Sequence, residues 1–78
     1  MNPLKNFRKD LDKIDKEIIF LLNKREKISK KVGIYKKKNK MKIQDKKREK
    51  QMLDKISKNY LKDIFKIIMR NSREIQKK

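Results

Sequence analysis

Along the first half of the chain, apolar residues recur at alternating intervals of three and four: Leu4, Phe7, Leu11, Ile14, Ile18 and Leu21, then Ile28, Val32 and Tyr35. Such spacing marks one face of an α-helix and predicts a single long helix over 3–38. Asn2 offers an N-cap with Pro3 at the first helical position, and Asn39-Lys40 interrupts the pattern at the far end. After a connection through Met41 to Gln44, Asp45 stands as the N-cap of a second helix of about three turns, carrying Arg48, Glu49, Met52, Leu53 and Ile56. Ser57-Lys58-Asn59 breaks the pattern again, and a third helix carries Leu61, Ile64, Phe65, Ile68, Ser72, Ile75 and Gln76. No internal repeat or linker is visible, so 1–78 reads as a single all-α domain of three helices, one long and two shorter.

A helix over 3–38 would be about 50 Å long. A compact globule of 78 residues would be only about 30 Å across, so the other forty or so residues cannot cover the seam. A second copy of the chain must bury it, which predicts an intertwined helical-bundle homodimer.

Composition narrows the chemistry. The absence of Cys and His removes thiolate and imidazole catalysis and the common zinc sites, and no metal or cofactor is expected. The longest apolar run, Ile18 to Leu22, is far short of the ~20 residues that span a bilayer, so a soluble, cytoplasmic protein without membrane contact is expected. A net charge of +17 favours anionic partners but does not choose among nucleic acid, acidic lipid and a small polyanion. Much of that excess is accounted for by lysines on solvated helix faces.

The informative residues are polar ones at apolar positions. The spacing of the first helix demands an apolar residue where Arg25 stands, and a guanidinium there is costly unless an anion meets it. Lys36, eleven residues on, lies about 20° around the helix from Arg25 and shares its face. Ser72 and Gln76 lie one turn apart, near the face that Ile68 and Ile75 mark as buried. Asp45, Arg48 and Glu49 fall on one side of the second helix near Met52. Arg8, seventeen residues before Arg25, lies about 100° around the helix and cannot serve its own chain's pocket, but can cross to a partner's. Taken singly, each has a plain structural reading: an ion pair for Arg25, back-bonding for Ser72 and Gln76, a cap for Asp45. Taken together, they line one interior in which cations exceed anions, and such an interior suits an anionic ligand.

The segments Asn2-Pro3-Leu4, Leu11-Asp12-Lys13-Ile14-Asp15, Leu22-Asn23-Lys24-Arg25 and Val32-Gly33-Ile34-Tyr35-Lys36, together with Arg8, resemble the first helix of the AroQ-class chorismate mutases. Asp45-Lys46-Lys47-Arg48-Glu49 resembles that family's second-helix motif, and Asn71-Ser72-Arg73-Glu74-Ile75-Gln76 its closing Ser-x-x-x-Gln. The resemblance covers nearly the whole chain. It implies rearrangement of chorismate to prephenate, within phenylalanine and tyrosine biosynthesis, by an intertwined helical homodimer without metal or coenzyme.

The implied roles follow motif by motif. Arg25 and the Arg8 donated by the other subunit would grip the substrate carboxylates, with Ser72 helping. Lys36 and Gln76 would hydrogen-bond the ether oxygen. Glu49 and the backbone around Asp45 would hold the ring hydroxyl, Arg48 would support the carboxylate end, and Val32, Met52 and Met69 would form apolar walls. Within the resemblance there are departures: the link between the second and third helices is shorter by about two turns, which puts the register of Ser72 and Gln76 against Lys36 at issue. The turn before Asp45 lacks the family's frequent proline, and Gly33 costs the helix about 1 kcal/mol unless it permits close packing.

Two other functions compete. Isochorismate-pyruvate lyase shares the scaffold, but Asp45 and Glu49 depart from that branch. A basic dimer binding nucleic acid through phosphates suits the charge but gives no reason for Arg25 in the seam, and Tyr35 and Tyr60 are too few for a stacking platform. A mutase-like bundle inactivated by the short link is the remaining reading.

Overall fold

The computed structural model describes residues 2–78 and contains three helices: α1 (Pro3–Lys38), α2 (Lys46–Asp54) and α3 (Asn59–Lys77). The all-α, three-helix expectation holds among these residues, with helix bounds close to those the periodicity gives. α1 begins with Pro3 at its first position, but Asn2, although extended as an N-cap residue should be, makes no side-chain cap hydrogen bond. The far end closes through a Schellman motif: Met41 N–H donates to the Lys36 carbonyl at 2.7 Å and Lys40 N–H to the Lys37 carbonyl at 3.3 Å. Lys40 sits in the left-handed region at φ 54°, where glycine would be unstrained. Asp45 does cap α2, its carboxylate accepting from Arg48 N–H at 3.0 Å.

α3 runs parallel to the second half of α1. Ser29 meets Ser72, and one turn on, Gly33 meets Gln76. Gly33 explains the close crossing: a Cβ there would lie 2.6 Å from the Gln76 carbonyl oxygen and 2.7 Å from its Cα. The glycine therefore permits backbone-to-backbone packing, the condition under which its cost to the helix is offset. α2 returns between them in sequence but packs only on α3, making no close backbone approach to α1. A cleft remains between α1 and α2.

The first half of α1 has no cover. Every described residue before Arg25 is exposed, the apolar Leu4, Phe7, Leu11, Ile14 and Ile18 included. The molecule extends 60 × 25 × 14 Å with a radius of gyration of 16.3 Å, against about 11.5 Å for a compact chain of this length. Its accessible surface is 7343 Å², where a folded monomer of this mass exposes about 5,100 Å². Met69 is the one buried apolar side chain among the described residues, so α1 and α3 meet in a thin layer rather than around a core.

Candidate functional site

A cavity of about 330 Å³ opens where α1, α2 and α3 converge. From α1 it takes Arg25, Ser29, Val32 and Lys36; from the connector and α2, Asp45, Arg48, Glu49 and Met52; and from α3, Met69, Ser72, Arg73 and Gln76. Of the eight residues singled out in the sequence, seven therefore line one space: Arg25, Lys36, Asp45, Arg48, Glu49, Ser72 and Gln76. The eighth, Arg8, is exposed on the uncovered half of α1, about 25 Å along the helix from Arg25. Its own chain's cavity is out of reach.

Helical repeat explains how the polar set is held. Arg25, Ser29, Val32 and Lys36 recur every three or four residues and form one stripe of α1. Met69, Ser72 and Gln76 do the same on α3. A chain of hydrogen bonds crosses between the stripes. Ser29 Oγ and Ser72 Oγ lie 2.7 Å apart, Gln76 Nε2 donates to Ser72 Oγ at 3.2 Å, and Lys36 Nζ donates to Gln76 Oε1 at 3.1 Å. Lys36 Nζ also donates to the Ile43 carbonyl at 2.7 Å, tying the connector down beside the cavity. The short α2–α3 link thus leaves Gln76 within hydrogen-bond distance of Lys36.

Ser29 and Gln76 are buried, and no buried side-chain nitrogen or oxygen lacks a partner among the described residues. Across the cavity, Arg73 Nη1 donates to both carboxylate oxygens of Glu49, at 2.7 and 2.8 Å. Ser29 and Arg73 are the two polar wall residues the sequence reading passed over. Ser29 had a signal, because it falls within about 40° of Arg25 on the same stripe. Arg73 had none, because its partner is on another helix.

Four cations, Arg25, Lys36, Arg48 and Arg73, face two carboxylates, Asp45 and Glu49. Such a site attracts a small anion carrying more than one charge, and its donors on several walls can fix that anion in one conformation. Among the described residues no cluster of three acidic side chains could hold a metal ion, and no helix is long and apolar enough to cross a membrane.

The fold and site together define an all-helical protein with a cavity in which cationic side chains outnumber carboxylates. The model of the family described as chorismate mutase type II matches residues 7–77, and the chain belongs to that family. A bifunctional chorismate mutase/prephenate dehydratase from Aquifex aeolicus is 43% identical over 56 residues, 72% of this chain and 16% of that protein. One from Buchnera aphidicola is 36% identical over 86 aligned positions, covering 99% of this chain and 22% of that protein. This chain thus spans less than a quarter of either relative. A solved structure of a conserved hypothetical protein from Pyrococcus furiosus superimposes with a TM-score of 0.89 at 38% identity, covering 97% of both chains.

Proposed function

We propose that this protein is a chorismate mutase that rearranges chorismate to prephenate, in the route to phenylalanine and tyrosine, and acts as a homodimer. The observation that carries the reading is the pairing of a charged and a neutral donor, Lys36 and Gln76, 3.1 Å apart on the wall of a cavity in which cations exceed anions. The reaction breaks one C–O bond and forms one C–C bond within a single molecule. It needs no nucleophile and no net proton transfer, so a site without Cys or His lacks nothing for it.

What the protein has to supply is conformation and charge. Arg25 holds one of the two substrate carboxylates and Arg8 of the other subunit holds the second, with Ser72 and Arg48 assisting at the carboxylate end. Held at both ends against Val32, Met52 and Met69, the substrate is folded so that the two carbons to be joined approach each other. Negative charge grows on the ether oxygen as the C–O bond stretches. Lys36 and Gln76 donate hydrogen bonds to that oxygen and stabilise the transition state more than the ground state. Glu49 and the backbone near Asp45 receive the ring hydroxyl.

The dimer is supported by the uncovered half of α1. Two chains together carry about 4,400 Å² of surface beyond that of two compact monomers, which is in the range that an obligate interface buries across its two partners. Leu4, Phe7, Leu11, Ile14 and Ile18 supply its apolar seam. An α1 that crosses onto a partner carries Arg8 away from its own cavity and toward the other.

The test is a continuous assay of chorismate disappearance with prephenate identified as product, run on the wild type and on Lys36→Ala. Loss of one preorganised donor to developing charge costs about 10²–10³ in kcat, so the variant should fold but turn over at least a hundredfold more slowly. A folded wild type that leaves chorismate untouched would overturn the reading, and pyruvate release from isochorismate would redirect it to the lyase.

A further inference from the structure

The α2 wall carries three of the site's charged residues and, within one protomer, is its least anchored part. α2 is nine residues long, none of them buried, and a helix that short does not hold itself together in water. It makes no close backbone approach to α1. Met52 and Leu53 are partly covered but neither is buried, so apolar packing alone does not enclose it.

Among the described residues, one polar contact within the protomer bridges from α2 to another helix. Arg73, on α3, donates from Nη1 to both oxygens of Glu49, at 2.7 and 2.8 Å, with the two side chains only 24% and 21% exposed. The other two ion pairs among the described residues are exposed and lie within single helices. A half-covered charge-assisted contact between helices is worth more than those, because solvent screens it less and it restrains a whole element rather than one side chain.

We propose that Arg73 is a positioning residue: it docks α2 onto α3 and so holds Glu49, and with it Asp45 and Arg48, at the cavity wall. Each carboxylate oxygen has two acceptor sites, so Glu49 held by Arg73 keeps free sites for a ligand hydroxyl. The length of the link from Lys55 to Lys58 limits how far α2 can stray, while the ion pair sets which way it faces. The importance of Glu49 to turnover rests on the mutase reading above. The docking of α2 does not.

The experiment compares wild type, Arg73→Met, Arg73→Lys and the double variant Arg73→Met with Glu49→Gln. Hydrogen–deuterium exchange follows the amides of 46–54 against those of α1 and α3, and steady-state kinetics with chorismate follow function. In Arg73→Met, α2 amides should exchange about tenfold faster while the other helices keep their rates, because only the docking equilibrium has moved. Lysine should restore most of that protection, and adding Glu49→Gln to Arg73→Met should accelerate exchange no further. If substrate re-docks α2 on binding, KM should rise about tenfold while kcat stays within about twofold. A general structural defect would instead lower the active fraction, and hence kcat, at unchanged KM. Unchanged α2 exchange in Arg73→Met, or acceleration spread evenly over all three helices, would overturn the proposal. Selective α2 acceleration in a wild type and variants that never turn over chorismate would support the docking and refute the mutase reading. Turnover with both KM and α2 exchange unmoved would do the reverse.

Discussion

Replacing Gly33 with alanine tests how the α1–α3 crossing sets the site. The new Cβ would lie 2.6 Å from the Gln76 carbonyl oxygen, 2.7 Å from its Cα and 3.1 Å from its carbonyl carbon, all backbone atoms that cannot rotate away. Carbon contacts settle at about 3.5–4.0 Å, so the two helices must part by about 1 Å at this point. Overpacking of this kind costs about 1–3 kcal/mol, and alanine's better helix propensity returns about 1 kcal/mol, leaving a net destabilisation of about 1 kcal/mol. The effect on rate should be larger. Gln76 is the residue pushed, and its bond to Lys36 is already 3.1 Å. Lys36 cannot follow without giving up its 2.7 Å bond to the Ile43 carbonyl. A displacement of about 1 Å at a reacting group costs about 100-fold, so kcat should fall by about that factor in a protein whose melting midpoint drops only a few degrees. Chorismate turnover measured well below the midpoint, with helicity checked by circular dichroism, separates the two effects. Wild-type kcat in a folded Gly33→Ala protein would refute the claim that this crossing positions Gln76.

Three further outcomes follow from the same geometry. Gln76→Glu should be active only while its carboxyl is protonated and able to donate, so its kcat should fall as pH rises through the carboxyl's titration, while the wild type, whose amide does not titrate, shows no such loss; parallel pH–rate profiles check this. Leu11→Glu puts a charge in the exposed apolar seam and should shift sedimentation equilibrium from dimer toward monomer while abolishing turnover, because Arg8 is then no longer delivered. Lys40→Gly removes the left-handed strain at the end of α1 and should raise stability by about 1 kcal/mol in thermal melts, with kcat unchanged.

Helix bounds were legible because each helix repeats a simple rule over many residues, as Leu4 to Tyr35 do over α1. Most of the cavity was legible for the opposite reason. Arg25, Ser72 and Gln76 break the rule at positions the rule identifies as inward, and the structure places all three on one wall system. Asn2 shows the limit of local signals: its position is that of a cap, but no side-chain bond forms. Arg73 shows the limit of periodicity, since it sits one residue beyond Ser72 and looks like one more solvated cation until α2 is placed against α3. Residues 24 apart on separate helices leave no trace of their pairing in either helix's own pattern.

The short link between α2 and α3 is compatible with the site because the link does not set the site's register. Ser29 with Ser72 and Gly33 with Gln76 are both pairs 43 residues apart, so two parallel helices are locked in one register by direct contact over a full turn. Hydroxyl meets hydroxyl at 2.7 Å in the first pair, and backbone meets backbone in the second. A slip by one residue would rotate α3 by about 100°, taking Ser72 and Gln76 out of the cavity and the Gln76 backbone away from Gly33. The connecting segment has only to span the distance back along α1, and additional turns there would lengthen the route without changing its ends. Link length is therefore free to vary where the α1–α3 contact is kept; a shorter link narrows the range open to α2, and the pair of Arg73 with Glu49 sets which way that helix faces.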